Sequence, residues 1–191
     1  MKCNFKVTVV LIGLWSFCAA DALFCQSVIV SQYKMRDSLL QSVISIEGNE
    51  KVNTLNELAW ITVYSNPKES HIYSKSALNI AKKTGYKTGE CVSLNRIGVG
   101  YDIQGKYDSA LIYYHDALTL ARKINDTRQI AGSLSNIGLT HWHIGNLNDA
   151  SKYFFSAFNF FEIDDNIKGL ASTYNNLGLV YQSHNNLPRA L

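Results

Sequence analysis

Proline is nearly absent from this chain: Pro67 and Pro188 are the only two in 191 residues. Both fall where the first turn of a helix is expected, a place where a missing N–H costs nothing. No Pro-rich or Gly/Ser-rich linker interrupts the chain, so a single domain is expected after the N-terminus. Cysteine is scarce and confined. Cys3, Cys18 and Cys25 lie at the start and only Cys91 lies beyond, so a chain shorn of its first 25 residues has no internal disulfide. An excess of charge of one sign is missing too, with 18 basic against 15 acidic residues. Without a basic cluster or basic–aromatic interleaving, nucleic acid is not an expected partner of this segment. No Ser-His-Asp set, phosphate-binding loop or Cys-x-x-Cys is present, so the chain reads as a non-enzyme without a cofactor.

The longest apolar run, Val7 to Ala20, is 14 residues, short of the roughly 20 that span a bilayer. Lys2 and Lys6 precede it and Ala20-Asp21-Ala22 follows. That order of charged, apolar and small residues is that of a secretory signal peptide over 1–25. Cleavage after Ala22 and cleavage after Cys25 both fit. Phe17 and Phe24 stand before Cys18 and Cys25, too bulky for lipid attachment there, and a retained anchor is the remaining alternative. Export without disulfides fits a bacterial periplasm or envelope.

What is present is a repeat. Leu94-Asn95-Arg96-Ile97-Gly98, Leu134-Ser135-Asn136-Ile137-Gly138 and Tyr174-Asn175-Asn176-Leu177-Gly178 place a glycine every 40 residues. A fixed period of this kind marks an array of supersecondary units. Within a unit, Leu94, Ile97 and Tyr101 recur at i, i+3 and i+7, the apolar stripe of a helix. Gly105 breaks it. Tyr107, Ala110, Leu111, Tyr114, Ala117, Leu118 and Ala121 then form a second stripe, so each unit is two antiparallel helices. A helix-interior glycine costs about 1 kcal/mol relative to alanine. Close helix approach against Ala110 and Ala117 is the expected offset.

These residues resemble the tetratricopeptide repeat family. The second unit carries Leu94, Ile97-Gly98, Tyr101, Ala110, Tyr114 and Ala117. The third carries Leu134, Ile137-Gly138, Ala150, Phe154 and Ala157, with His141 where an aromatic ring is expected. The fourth carries Tyr174, Leu177-Gly178, Tyr181 and Ala190. A degenerate first unit has Leu55, Leu58-Ala59, Thr62, Ser70, Ser74 and Ala77. The 40-residue unit looks like the repeats of kinesin light chains and bacterial peptide-sensing regulators. The resemblance implies an all-α, right-handed superhelical solenoid of antiparallel helix pairs. Its parts are the signal peptide at 1–25, a leading helix within 26–49 that covers the first pair and ends at Gly48-Asn49, and units at 50–89, 90–129, 130–169 and an incomplete 170–191. Helices are expected near 30–46, 50–64, 68–84, 90–103, 107–124, 129–143, 147–162, 168–182 and from 187 onward, with Asn185-Asn186 as a turn.

In that family the first helix of each pair lines a concave groove. The resemblance therefore implies a protein- or peptide-binding face at Asn95, Arg96, Val99 and Asp102; Ser135, Asn136, Leu139, Trp142 and His143; and Asn175, Asn176, Leu179 and Gln182. An asparagine amide both donates and accepts, which suits an extended backbone. The alternative is solvated polar residues on a helix face, and for Trp142 a place in the core. His141 and His143, at i and i+2, point to different sides of a helix and are not expected to bind metal. His141 is expected in the helix-packing slot and His143 near the groove. Asp164-Asp165 reads as a turn and helix cap. Cys91 reads as a small core residue, with a reactive thiolate at the start of a helix as the alternative.

The expected function is an exported scaffold that binds a protein or peptide, as the N-terminal sensor part of a larger bacterial signalling protein. A membrane helix and a kinase or helix-turn-helix output domain would follow downstream. The alternative is a standalone envelope assembly scaffold without an output domain. In either case the array is expected to be incomplete at Leu191, because repeat arrays need a polar closing element.

Overall fold

The computed structural model describes residue 31 and residues 33–186, with side chains through His184. The expected signal peptide, the early cysteines and the helix expected from 187, with Pro188, lie outside the described residues. The chain divides after Ile44 into two units. The described helix of the first, α1, runs over 33–45 and so ends on the first residue of the second.

Every described element of the second unit is helical: α2 (Gly48–Thr62), α3 (Pro67–Thr84), α4 (Lys87–Ile103), α5 (Tyr107–Lys123), α6 (Thr127–His143), α7 (Leu147–Ile163) and α8 (Ile167–Asn186). Consecutive helices pack as antiparallel pairs, α2 on α3, α4 on α5 and α6 on α7. In addition α2 touches α4, α4 touches α6 and α6 touches α8, whereas α3, α5 and α7 do not touch one another. The even-numbered helices therefore form the inner, concave layer of a solenoid, and the odd-numbered ones are splayed around it.

The pairs close on small residues. Ala110, Ala117 and Ala121 of α5 and Ala150 and Ala157 of α7 are fully buried, as are Ile97 and Ile137 opposite them. Burying each isoleucine contributes roughly 1.5–3 kcal/mol. Two of the three packing glycines, Gly98 and Gly138, are explained by rings, and this corrects the expectation that alanines face them. A Cβ on Gly98 would sit 2.4 Å from the Tyr114 ring, and one on Gly138 would sit 2.9 Å from the Phe154 ring. Tyr114 and Phe154 are nearly inaccessible to solvent. The rings fill the space a side chain would take, and their burial offsets the helix cost of glycine. In the first unit Ala59 and Ser74 stand at these two places, with neither glycine nor ring.

The turns follow from local chemistry. Gly85, Asn125 and Asp165 occupy one repeat position and all adopt positive φ, at 72°, 55° and 47°. Asn and Asp tolerate this conformation because their short polar side chains bond locally. The next residue caps the following helix in two units. Asp126 accepts from the Gln129 N–H at 3.1 Å and Asn166 from the Gly169 N–H at 3.0 Å. The Asp164-Asp165 pair is thus the turn, and the cap is Asn166. Pro67 opens α3 behind the cap Asn66, as expected.

Three boundaries differ from expectation. Gly48 and Asn49 do not end α1; Gly48 is the first residue of α2, at φ 60°. Helices α4 and α6 begin at Lys87 and Thr127, two to three residues earlier than the apolar stripe alone suggests. Helix α8 runs through Asn186, so Asn185-Asn186 is helical. The earlier units have Gly105 and Gly145 at this point, at φ 71° and 83°; an asparagine has less reason to leave the helix there.

Candidate peptide-binding groove

The inner helices are tied to one another by polar side chains. Between α4 and α6, the Asn95 amide donates to Ser133 Oγ at 3.0 Å, and the Asn136 amide donates to Asn95 Oδ1 at 3.2 Å. One turn further on, Thr140 Oγ1 lies 2.8 Å from Asp102 Oδ2 and 3.0 Å from the Asn136 carbonyl, sharing its one proton between them. His143 Nδ1 sits 2.9 Å from the other Asp102 oxygen. Between α6 and α8, the Trp142 indole donates to Ser183 Oγ at 3.1 Å. These bonds use the asparagine and indole donors inside the array.

The expected groove residues accordingly fall into three sets. Asn95 and Asp102 are buried and bind neighbouring helices. Val99, Leu139 and Trp142 are half-buried and pack on the apolar clusters, while Asn136 is half-buried with its amide committed to Asn95. His143, Asn175 and Gln182 are exposed, with Asn176 and Leu179 half-buried beside them. His143 lies against Asp102 and beside Tyr107, ring centres 5.8 Å apart. His141 fills the aromatic packing slot, stacked on Tyr153 at 5.2 Å.

The α2–α4 junction is built differently. The Leu55-Asn56 and Leu94-Asn95 pairs open the same pattern, so Asn56 is the counterpart of Asn95. Asn56 is 3% exposed, yet neither its amide nitrogen nor its carbonyl oxygen has a partner. Arg96 takes the place that Asn136 holds one unit later. Its guanidinium carbon lies 4.4 Å above the Trp60 ring, and its buried Nε has no partner. Burial lowers the Arg96 pKa to about 10 against the upward pull of Glu57 and Tyr114. Sequence reasoning named Arg96 but missed Asn56 and Trp60. The signal was the Leu-Asn pair of the degenerate first unit.

Burial, with Asp126 and Glu90 nearby, pushes the Cys91 thiol up to about 12. Cys91 is fully buried inside α4 rather than at its start, so the core reading holds. A cleft of about 730 Å³ opens at the turn edge between Asn66, Lys68, His71, Tyr101 and Lys106. Among the described residues no three His, Cys, Asp or Glu side chains gather where a metal ion could be held, and no helix is long and apolar enough to cross a membrane.

Two family models, both described as tetratricopeptide repeat, match residues 89–163 and 170–191. The chain is a tetratricopeptide-repeat protein. No curated protein matches it. Among solved structures it is similar to a Rap protein complexed with competence and sporulation factor, at 22% identity and TM-score 0.67, over 74% of this chain and 40% of that one. It is similar to aspartyl phosphate phosphatase F from Bacillus subtilis, at 19% identity and TM-score 0.67, over 85% and 42%. It also matches BtubC (BKLC) from P. vanneervenii, at 15% identity and TM-score 0.64, over 84% and 69%. The likeness is one of fold. The repeat protein spans less than half the length of the first two. A tetratricopeptide array is in general a non-catalytic scaffold for protein–protein interaction, and this one has that fold.

Proposed function

We infer that the concave face of α2, α4, α6 and α8 binds an extended peptide or a partner's extended segment. The observation that carries this reading is the continuous inner layer. Its helices touch in series while the outer helices do not, which leaves a groove lined by Trp60, Arg96, His143, Asn175, Asn176 and Gln182. The complex of a similar Rap protein with competence and sporulation factor supports it by analogy of fold. The chain is further proposed to be exported to a bacterial envelope, on its N-terminal charged–apolar–small order, and to serve as the sensing part of a larger signalling protein.

The test is selection of randomised acetylated decapeptides by the full chain, repeated with Asn175→Ala/Asn176→Ala/Gln182→Ala. These side chains make no bond that holds the array together, so the melt should be unchanged while peptide retention falls about tenfold or more, at roughly 0.5–1.5 kcal/mol per lost hydrogen bond. Equal retention by both proteins would place binding elsewhere. Export is tested separately by intact mass of the envelope fraction, where a species beginning at Leu23 or Gln26 is expected. A full-length chain there would overturn the secretory reading.

A further inference from the structure

We propose that the cleft at the turn edge, between the start of α3 and the α4–α5 turn, is a binding site for a small phosphate monoester that carries a flat ring. It shares no residue with the groove proposed above and does not depend on it.

The cleft opens where this junction lacks the side chains of the next one. In the 40-residue register, Pro67, His71 and Gln104 stand where Tyr107, Leu111 and Ile144 stand one unit later. There Leu111 packs on the core cluster and the Tyr107 ring lies beside His143. Here about 730 Å³ is left between Ser65, Pro67, His71, Ile72, Tyr101 and Lys106. Small-molecule sites run from about 300 to 1,000 Å³. The walls are held in place. Gln104 Nε2 donates to the Gly100 carbonyl at 2.7 Å, and Lys106 Nζ donates to Gln104 Oε1 at 3.1 Å. His71 meets Tyr101 edge to face with ring centres 5.7 Å apart, and Tyr101 is stacked on Tyr113 at 5.5 Å.

The chemistry of the lining selects the ligand. Lys68 and Lys106 line the cleft, and Lys75 stands one turn from His71 on the same helix. Among the described residues none of these three lysines forms an ion pair, and no carboxylate lines the cleft. Glu69, next to Lys68, is bonded to Asn66 and Tyr73. The surplus is felt at the wall: burial, then Lys75, then Lys106 hold the His71 pKa below its ordinary 6.5. Lysine ammonium groups are compact point charges, whereas planar, bidentate recognition is the work of arginine. Two of them without a guanidinium favour a compact anion of high charge, and a phosphate monoester carries roughly 1.5–2 negative charges at pH 7. The Tyr101 and His71 rings, with Pro67 and Ile72, give a flat ring a surface to lie on.

Calorimetric titration of the full chain with adenosine monophosphate and with phenyl phosphate tests this, at low salt, where screening is weakest. At least one of them should bind about tenfold or more tighter than inorganic phosphate and than its own ring without the phosphate, adenosine or phenol. Lys68→Gln/Lys106→Gln should weaken that binding about tenfold or more and leave the thermal melt unchanged. Pro67→Tyr puts into the cleft the ring that the next unit has, and should abolish binding. Should Pro67→Tyr lower the melt, the lysine variant alone decides. Binding that survives the loss of both lysines would overturn the site. Equal binding of the phosphates and their bare rings, or failure of both phosphates to bind, would overturn it as well.

Discussion

The α4–α6 and α2–α4 junctions join the same kind of helix in the same layer, yet one is closed and the other open. At α4–α6, Asn95 and Asp102 are buried and every polar atom they present is met by Ser133, Asn136, Thr140 or His143. At α2–α4, Asn56 is as deeply buried and meets nothing, and Arg96 leans on an aromatic ring. Position in a repeat thus decides which residue enters a junction, and the neighbouring helix decides whether that residue holds the array or is left for something else. An inward-pointing asparagine in such an array is not in itself a ligand contact.

The contrast can be broken most sharply by alanine at the paired asparagines. Asn95→Ala strands Ser133 and Asn136 and should cost about 2 kcal/mol, a fall of roughly 4–8 °C in a thermal melt. Asn56→Ala removes two unsatisfied atoms and should cost less than about 0.5 kcal/mol. Equal losses would mean that Asn56 is bonded in solution.

A smaller graded effect is expected along the packing glycines. Gly98→Ala drives a methyl into Tyr114 and should cost roughly 1–3 kcal/mol. Gly138→Ala should cost less, because its Phe154 contact is longer. A Cβ on Gly178 would meet nothing within 4 Å, so Gly178→Ala should gain up to about 1 kcal/mol of helix propensity. Chemical denaturation of the three variants gives the order, and a uniform response would show that rings do not dictate these glycines.

The smallest effect concerns pH. Burial, with Lys75 and then Lys106 nearby, lowers the His71 pKa below its ordinary 6.5. The unfolded chain then takes up a proton before the folded one, so stability falls as pH drops from 6.5 toward the folded value and is level below it. His71→Phe should flatten this part of the stability profile while keeping a ring against Tyr101. An unchanged slope would assign the acid loss to other groups.

Much of this was legible in the sequence. The 40-residue period, the two stripes per unit and the turn residues predicted seven helices of the second unit to within a few residues. They are local properties, and local chemistry decides them. The start of α2 was not legible, because Gly48 looks like a stop signal and a helix can equally begin there. The packing glycines were visible, but the rings opposite them were not, since Gly98 and Tyr114 are brought together by the turn at Gly105.

The groove was legible only as a row of positions. The sequence by itself determined which side chains face the inner layer, because helical spacing and the repeat register are arithmetic. Only the tertiary structure decided that Asn95, Asp102 and Trp142 bond to the next inner helix while Asn56 and Arg96 do not. A hydrogen bond between units depends on distances between residues some 40 positions apart, and those distances are set by how the helix pairs stack.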